Sequence, residues 1–113
     1  METVYNYLYN YFTKYNFLVP NIAPHQVNTS LFISYVQMLK SEQELPPIQV
    51  YTHNKVTFIA TGIHQYLACM KLNKPFKTEQ VDNNGFRGAT LPLMFYNEWY
   101  RTLTNLRVQQ EKS

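Results

Sequence analysis

Residues 58–69 read FIATGIHQYLAC, and their pattern changes at one glycine. The residues before Gly62 alternate as a strand does, whereas the apolar residues after it recur at helical spacing. The first turn of a helix leaves backbone N–H groups without partners and carries a partial positive charge. A strand that passes into a helix through glycine is therefore a place where a protein can hold phosphate. We expect the candidate site at this junction.

Length and composition indicate one folded domain. The chain has 113 residues, of which 45% are hydrophobic and 15% charged, so we expect a single domain over residues 1–113 with a modest core. The ten Tyr and seven Phe, with many Asn and Lys, are typical of an AT-rich coding genome such as that of a virus, a plasmid or a low-GC bacterium.

The cellular setting is predicted from what the sequence lacks. Cys69 is the only cysteine, so no disulfide forms within the chain. No apolar run is long enough to span a membrane, and the N-terminus does not resemble a signal peptide. We therefore expect an intracellular, cytoplasmic protein with no membrane partner, including the interior of an infected host cell or a virion.

The elements predict an α+β fold, in which a short mixed sheet with a hairpin is packed by three to four helices. The predicted helices are Thr3–Tyr15, about Asn28–Ser41, Gly62–Asn73 and Leu91 to about Val108. The predicted strands are Phe17–Pro20, Ile48–Tyr51, Val56–Ala60 and Phe76–Val81, with turns at Thr52–Lys55 and Asp82–Gly85.

The two terminal helices have different predicted roles. The last one, over residues 91–108, carries an apolar stripe and is expected to pack on the body; the stripe is Leu91, Phe95, Trp99, Leu103 and Leu106. The first predicted helix contains more tyrosines than one face of the core can bury, namely Tyr5, Tyr7, Tyr9 and Tyr11. A protein partner is expected there, because tyrosine is enriched at interfaces.

Basic residues are concentrated around the central motif. Between His53 and Arg87 the cations exceed the carboxylates by three, which equals the whole net charge of +3 at pH 7. The lysines in this segment are Lys55, Lys71, Lys74 and Lys77. A local excess of this kind favours an anionic partner. The alternative is that Lys71, Lys74 and Lys77 form only a solvated helix end and loop.

The order of elements resembles the ParB/sulfiredoxin superfamily over residues 19–81. The segment Leu45-Pro46-Pro47-Ile48-Gln49-Val50 is similar to the proline-isoleucine strand of that family. A second strand then leads into Thr61-Gly62-Ile63-His64-Gln65, which resembles the family's helix start with its glycine and arginine box.

The resemblance implies a phosphate-binding role with a degenerate box. Gly62 stands where the family has its box glycine, and His64 where nuclease-like and sulfiredoxin-like members carry histidine. Ile63 replaces the sulfiredoxin cysteine and offers no nucleophile. Gln65 replaces the arginine that grips phosphate and provides neither charge nor a bidentate fork. Thr61 replaces a residue that is often acidic or aromatic.

No catalytic residue, metal site or cofactor is predicted. His64 has three open interpretations: a local hydrogen bond, a ligand contact or proton transfer. His25, His53 and His64 lack the spacing of metal ligands, and the carboxylates show no paired arrangement. Cys69 is expected to be a small core side chain.

The sequence therefore favours a non-catalytic module that holds a nucleotide phosphate or a nucleic-acid backbone. The predicted binding residues are Gly62, Ile63, His64, Gln65, Lys55, Lys71 and Lys74, with Lys77 assisting. Two alternatives stay open: an interaction subunit of a viral or mobile-element assembly that binds no ligand, and a weak nuclease or phosphotransferase that uses His64 with a metal.

Overall fold

The computed structural model describes residues 10–53, 56–82 and 91–112, which contain four helices and three strands. The helices are α1 (residues 10–14), α2 (Thr29–Lys40), α3 (Ile63–Leu72) and α4 (Leu93–Lys112), with a single 3-10 turn at Pro24–Gln26. The strands are β1 (Ile48–His53), β2 (Val56–Thr61) and β3 (Thr78–Gln80). The start of the predicted first helix, including Tyr5, Tyr7 and Tyr9, lies outside these residues, as do Lys55 and most of the predicted turn Asp82–Gly85.

The sheet is mixed and contains a hairpin, as predicted, and its strands lie in the order β2-β1-β3. β1 pairs with β2 as an antiparallel hairpin and with β3 in parallel. β1 continues to His53, two residues beyond the prediction, because its pairing with β2 extends to the pair His53 and Val56. β3 is shorter than the predicted strand Phe76–Val81.

A single bridge replaces the predicted strand Phe17–Pro20. The Val19 N–H donates to the Thr57 carbonyl at 3.0 Å, and the Val19 carbonyl accepts from the Ile59 N–H at 2.9 Å. Pro20 follows at once, and proline has no N–H with which to continue a ladder. The segment therefore adds one residue to the outer edge of β2.

α3 is the central helix of the domain and buries six of its ten residues. Tyr66 is fully buried, and its hydroxyl accepts from the Leu18 N–H at 3.0 Å. On another face, Ala68 and Cys69 pack against Val36 and Leu39 of α2. α3 thereby joins the sheet to the helical layer.

α4 closes the core, as its apolar stripe predicts. Trp99 and Leu103 are buried, while Leu91, Phe95 and Leu106 are partly buried. The Trp99 Nε1–H donates to the Ile22 carbonyl, which ties α4 to the loop before α2. The helix reaches Lys112, beyond the predicted end near Val108. Among the described helices, none is both long and apolar enough to cross a membrane.

Candidate functional site

Gly62 forms the junction between β2 and α3. It is the N-cap residue of α3 and adopts the left-handed conformation, with φ 104° and ψ 24°. A Cβ atom at this position would lie 3.3 Å from Cγ2 of Ile48. Glycine is therefore required here by its backbone conformation and by its close packing on β1.

The start of α3 has no side-chain cap. The first helical bond runs from the Tyr66 N–H to the Gly62 carbonyl at 2.9 Å. Within the described part of the chain, no group accepts from the N–H groups of Ile63, His64 and Gln65. Such groups need water or a ligand as their partner.

His64 fastens the start of α3 to the start of α2. Its Nε2 accepts from the Asn28 N–H at 3.0 Å, and Asn28 is the N-cap residue of α2. The Asn28 side chain accepts from the Leu31 N–H at 3.1 Å. The N–H groups of Thr29 and Ser30 have no acceptor among the residues that the structure describes. Two helix starts thus lie side by side, and their first amides find no acceptor in the described part of the chain.

The side chains of Ile63 and Gln65 face the interior. Each is 6% exposed, and Ile63 belongs to the main core cluster. The Gln65 Nε2–H donates to the Pro46 carbonyl at 2.8 Å. The side chains of both residues are therefore engaged inside the domain and are not available to hold a ligand.

The lysines predicted to bind phosphate do not lie beside the N–H groups at the start of α3. Lys71 lies eight residues after Ile63 on the same helix, which corresponds to about 12 Å along its axis. Lys74 and Lys77 follow the end of α3 at Asn73, and Lys55 lies outside the described residues. Lys71 and Lys77 are exposed and Lys74 is half-buried. The positive side chains therefore gather at the opposite end of α3.

An apolar cleft of about 400 Å³ lies beside the two helix starts. It is bounded by α2 and α4, with Leu67 of α3 between them, and Thr29 contributes to its wall. The lining residues are Pro24, Val27, Thr29, Phe32, Leu67, Trp99, Thr102 and Leu106. The sequence analysis did not predict this cleft. The cleft forms where α4 packs against α2 and α3, which are distant from α4 in the sequence.

The buried titratable groups are poorly suited to catalysis. Burial raises the pKa of the Cys69 thiol, which keeps it in the unreactive protonated form. Burial also raises the pKa of Tyr66, against a smaller opposing effect of its bond to Leu18. In the described ranges no group of three or more His, Cys, Asp and Glu comes together as a metal site.

An aromatic cluster joins the end of α1 to α4. The ring of Tyr11 lies 5.3 Å from that of Tyr100, and Tyr15 stacks on Phe17 at 5.9 Å. The Arg107 guanidinium lies 5.6 Å above the Tyr15 ring. Tyr11 and Tyr15 therefore contribute to internal packing, which accounts for part of the tyrosine content near the N-terminus.

Comparison with known proteins gives no match: no family model, no curated protein and no solved structure is similar to this chain.

Proposed function

We propose that this chain is a non-catalytic binding module that holds a phosphate group, from a nucleotide or a nucleic-acid backbone, at the paired starts of α2 and α3. The hydrogen bond between His64 and Asn28 carries the proposal, because it holds together two helix starts whose first amides have no acceptor in residues 10–53, 56–82 and 91–112. The five amides belong to Thr29, Ser30, Ile63, His64 and Gln65.

Elementary electrostatics supports phosphate as the ligand. Each helix start stabilises a nearby anion by about 0.3–1 kcal/mol. Hydrogen bonds from amides to a charged oxygen contribute about 1.5–3 kcal/mol each. Backbone amides read charge and shape but not base identity, so binding to nucleic acid is expected to be independent of sequence.

The resemblance to the ParB/sulfiredoxin superfamily supports the same proposal. Pro46 and Pro47 lead directly into β1, the hairpin follows, and α3 begins at the glycine that resembles the family's box. A non-catalytic role is consistent with Ile63, which has no nucleophile, and with His64, whose Nε2 is already bonded to Asn28. We propose a ParB-like module whose ligand is held by backbone groups.

A charge placed among the open amides tests the proposal. Thr29 is the first residue of α2, so Thr29→Asp puts a carboxylate at the helix start, which stabilises α2 by about 0.3–1 kcal/mol. The same carboxylate repels phosphate. We expect the variant to melt at or above the wild-type temperature while it loses binding of inorganic triphosphate, ATP and short duplex DNA, measured by calorimetric titration.

The matched control is Thr29→Asn, which has similar size and no charge and is expected to keep binding. Wild-type affinity is expected to fall as salt rises, steeply for DNA because bound counterions are released. Binding by Thr29→Asp equal to that of the wild type would contradict the proposal, as would a wild-type chain that binds none of the three ligands. Comparison of the affinity for ATP with the affinity for DNA shows whether the phosphate group comes from a nucleotide or from a nucleic-acid backbone.

A further inference from the structure

A cavity of about 250 Å³ lies between the end of α2, one face of α3 and the two segments that lead into β1 and β3. It shares no lining residue with the cleft between α2 and α4. Its most buried lining residues are Leu39, Gln65 and Cys69, which are 8%, 6% and 2% exposed. Phosphate binding at the helix starts uses the backbone N–H of Gln65, whereas the cavity is lined by the side chain of this residue.

The side-chain amide of Gln65 gives this cavity a polar group of fixed orientation. Its Nε2–H donates to the carbonyl of Pro46, which also lines the cavity, at 2.8 Å. This bond leaves Oε1 as an acceptor, and no group within residues 10–53, 56–82 and 91–112 donates to it. Buried amide oxygens are normally hydrogen-bonded. A molecule in the cavity would supply the missing O–H or N–H.

The inner part of the cavity is apolar and uncharged apart from this amide. The charged lining residues, Glu44 and Lys77, are exposed and so lie at the mouth. Leu45 and Phe76 are half-buried and form apolar walls, and the Phe76 ring is held edge-on against Tyr66 at 5.3 Å. A charged group in such a place loses its hydration without gaining an ionic partner. The site is therefore suited to a neutral ligand.

We propose that this cavity binds a small neutral aromatic molecule with one O–H or N–H donor, such as a phenol, and that the donor bonds to Oε1 of Gln65. A cavity of about 150 Å³ is enough to hold benzene, so the volume here accommodates one ring with a substituent. Phe76 favours an aromatic body, because aromatic rings stabilise each other beyond the area that they bury. Mostly apolar walls with one well-placed polar group are typical of small-molecule sites.

Titration of the full 15N-labelled chain with phenol, followed by its N–H shifts, tests the proposal. We expect the largest changes at the side-chain NH2 of Gln65 and the backbone N–H groups of Cys69 and Phe76, with a dissociation constant of about 1 mM or lower. Phenol is neutral at neutral pH, because its pKa is about 10. Since it carries no phosphate, its binding can succeed or fail independently of the proposed phosphate binding.

Two substitutions on α3 test the position of the ligand and its hydrogen bond. Cys69→Leu places a larger side chain in the cavity and is expected to abolish phenol binding, whereas Cys69→Ala leaves the cavity open and is the matched control. Gln65→Leu removes the acceptor. It is expected to lower the preference for phenol over toluene, which has no donor, by about threefold to tenfold. Circular dichroism establishes that each variant is folded.

The wild-type titration decides the proposal even where a variant does not fold. Absence of changes at the three N–H groups up to about 10 mM phenol would overturn it, as would changes confined to the cleft between α2 and α4. Phenol binding by folded Cys69→Leu with the wild-type affinity would overturn it as well. An equal preference for phenol over toluene in the wild type and in Gln65→Leu would have the same consequence.

Discussion

Nε2 of His64 accepts a hydrogen bond from the backbone N–H of Asn28 at 3.0 Å, across 36 residues of chain. The bond joins the second residue of α3 to the N-cap residue of α2. Because Nε2 is the acceptor, the ring proton is on Nδ1. The relative position of the two helix starts therefore depends on one imidazole in one tautomer.

Substitution of His64 is expected to weaken both the fold and the proposed binding of phosphate. His64→Ala leaves the Asn28 N–H without its acceptor and is expected to lower the free energy of unfolding by about 0.5–1.5 kcal/mol. Triphosphate affinity is expected to fall with it. His64→Gln supplies an acceptor oxygen at a similar reach and should recover most of both losses. Urea denaturation and calorimetric titration measure the two effects, and equal behaviour of the two variants would contradict the role given to this bond.

Gly62 is expected to tolerate no side chain. Gly62→Ala forces a left-handed conformation on alanine and places its Cβ near 3.3 Å from the Ile48 side chain, so we expect a loss of about 1–3 kcal/mol. Asn73 is also left-handed, with φ 53°, at the end of α3. Asn73→Gly is the control and should stay within about 1 kcal/mol of the wild type. A Gly62→Ala variant as stable as the wild type in urea would show that the backbone at this junction is not constrained.

Gln65 is expected to matter for stability through its amide. Gln65→Leu keeps a similar volume but leaves the Pro46 carbonyl without its donor, for an expected loss of about 1–3 kcal/mol. Gln43→Leu, at an exposed position, is the control and should change stability by no more than about 0.5 kcal/mol. Thermal denaturation compares the two, and an equal effect would mean that the bond to Pro46 contributes nothing.

Because of Tyr66, the free energy of unfolding is expected to depend on pH in the alkaline range. Its pKa is raised in the folded state, so the folded chain retains a proton that the unfolded chain releases. The resulting stability is fully present below the ordinary tyrosine pKa of about 10 and is lost as pH rises toward the folded value. The decline approaches about 1.4 kcal/mol per pH unit.

Tyr66→Phe isolates this effect from that of the other tyrosines. The variant is expected to be less stable at neutral pH by about 1–3 kcal/mol, because the Leu18 N–H loses its acceptor. Its stability should then decline less steeply above about pH 10. Urea midpoints measured from about pH 8 to about pH 11 give the comparison. Parallel curves for the two proteins would contradict the assignment.

Local patterns predicted most of the fold. The hairpin, α2, α3 and α4 follow from periodicity, capping and turn residues within each segment. The parallel pairing of β3 with β1 and the bridge at Val19 join distant segments, so no local pattern signals them.

Of the candidate site, only the helix start at Gly62 could be predicted from the sequence. The helix start at Gly62 is a local feature, and the structure places it at the predicted junction. The partners of His64 and Gln65, Asn28 and Pro46, are 36 and 19 residues away, and neither contact has a sequence signal. The separation of Lys71 from the amides follows from helix geometry, because eight residues of helix span about 12 Å.

Backbone amide shifts during titration with inorganic triphosphate report whether phosphate binds at the starts of α2 and α3. We predict that a 15N-labelled chain shows its largest changes at the N–H groups of the two helix starts, with Lys71 and Lys74 little affected. The responding amides would be Thr29, Ser30, Ile63, His64 and Gln65. Changes concentrated at Lys71, Lys74 and Lys77, with none at the helix starts, would contradict it.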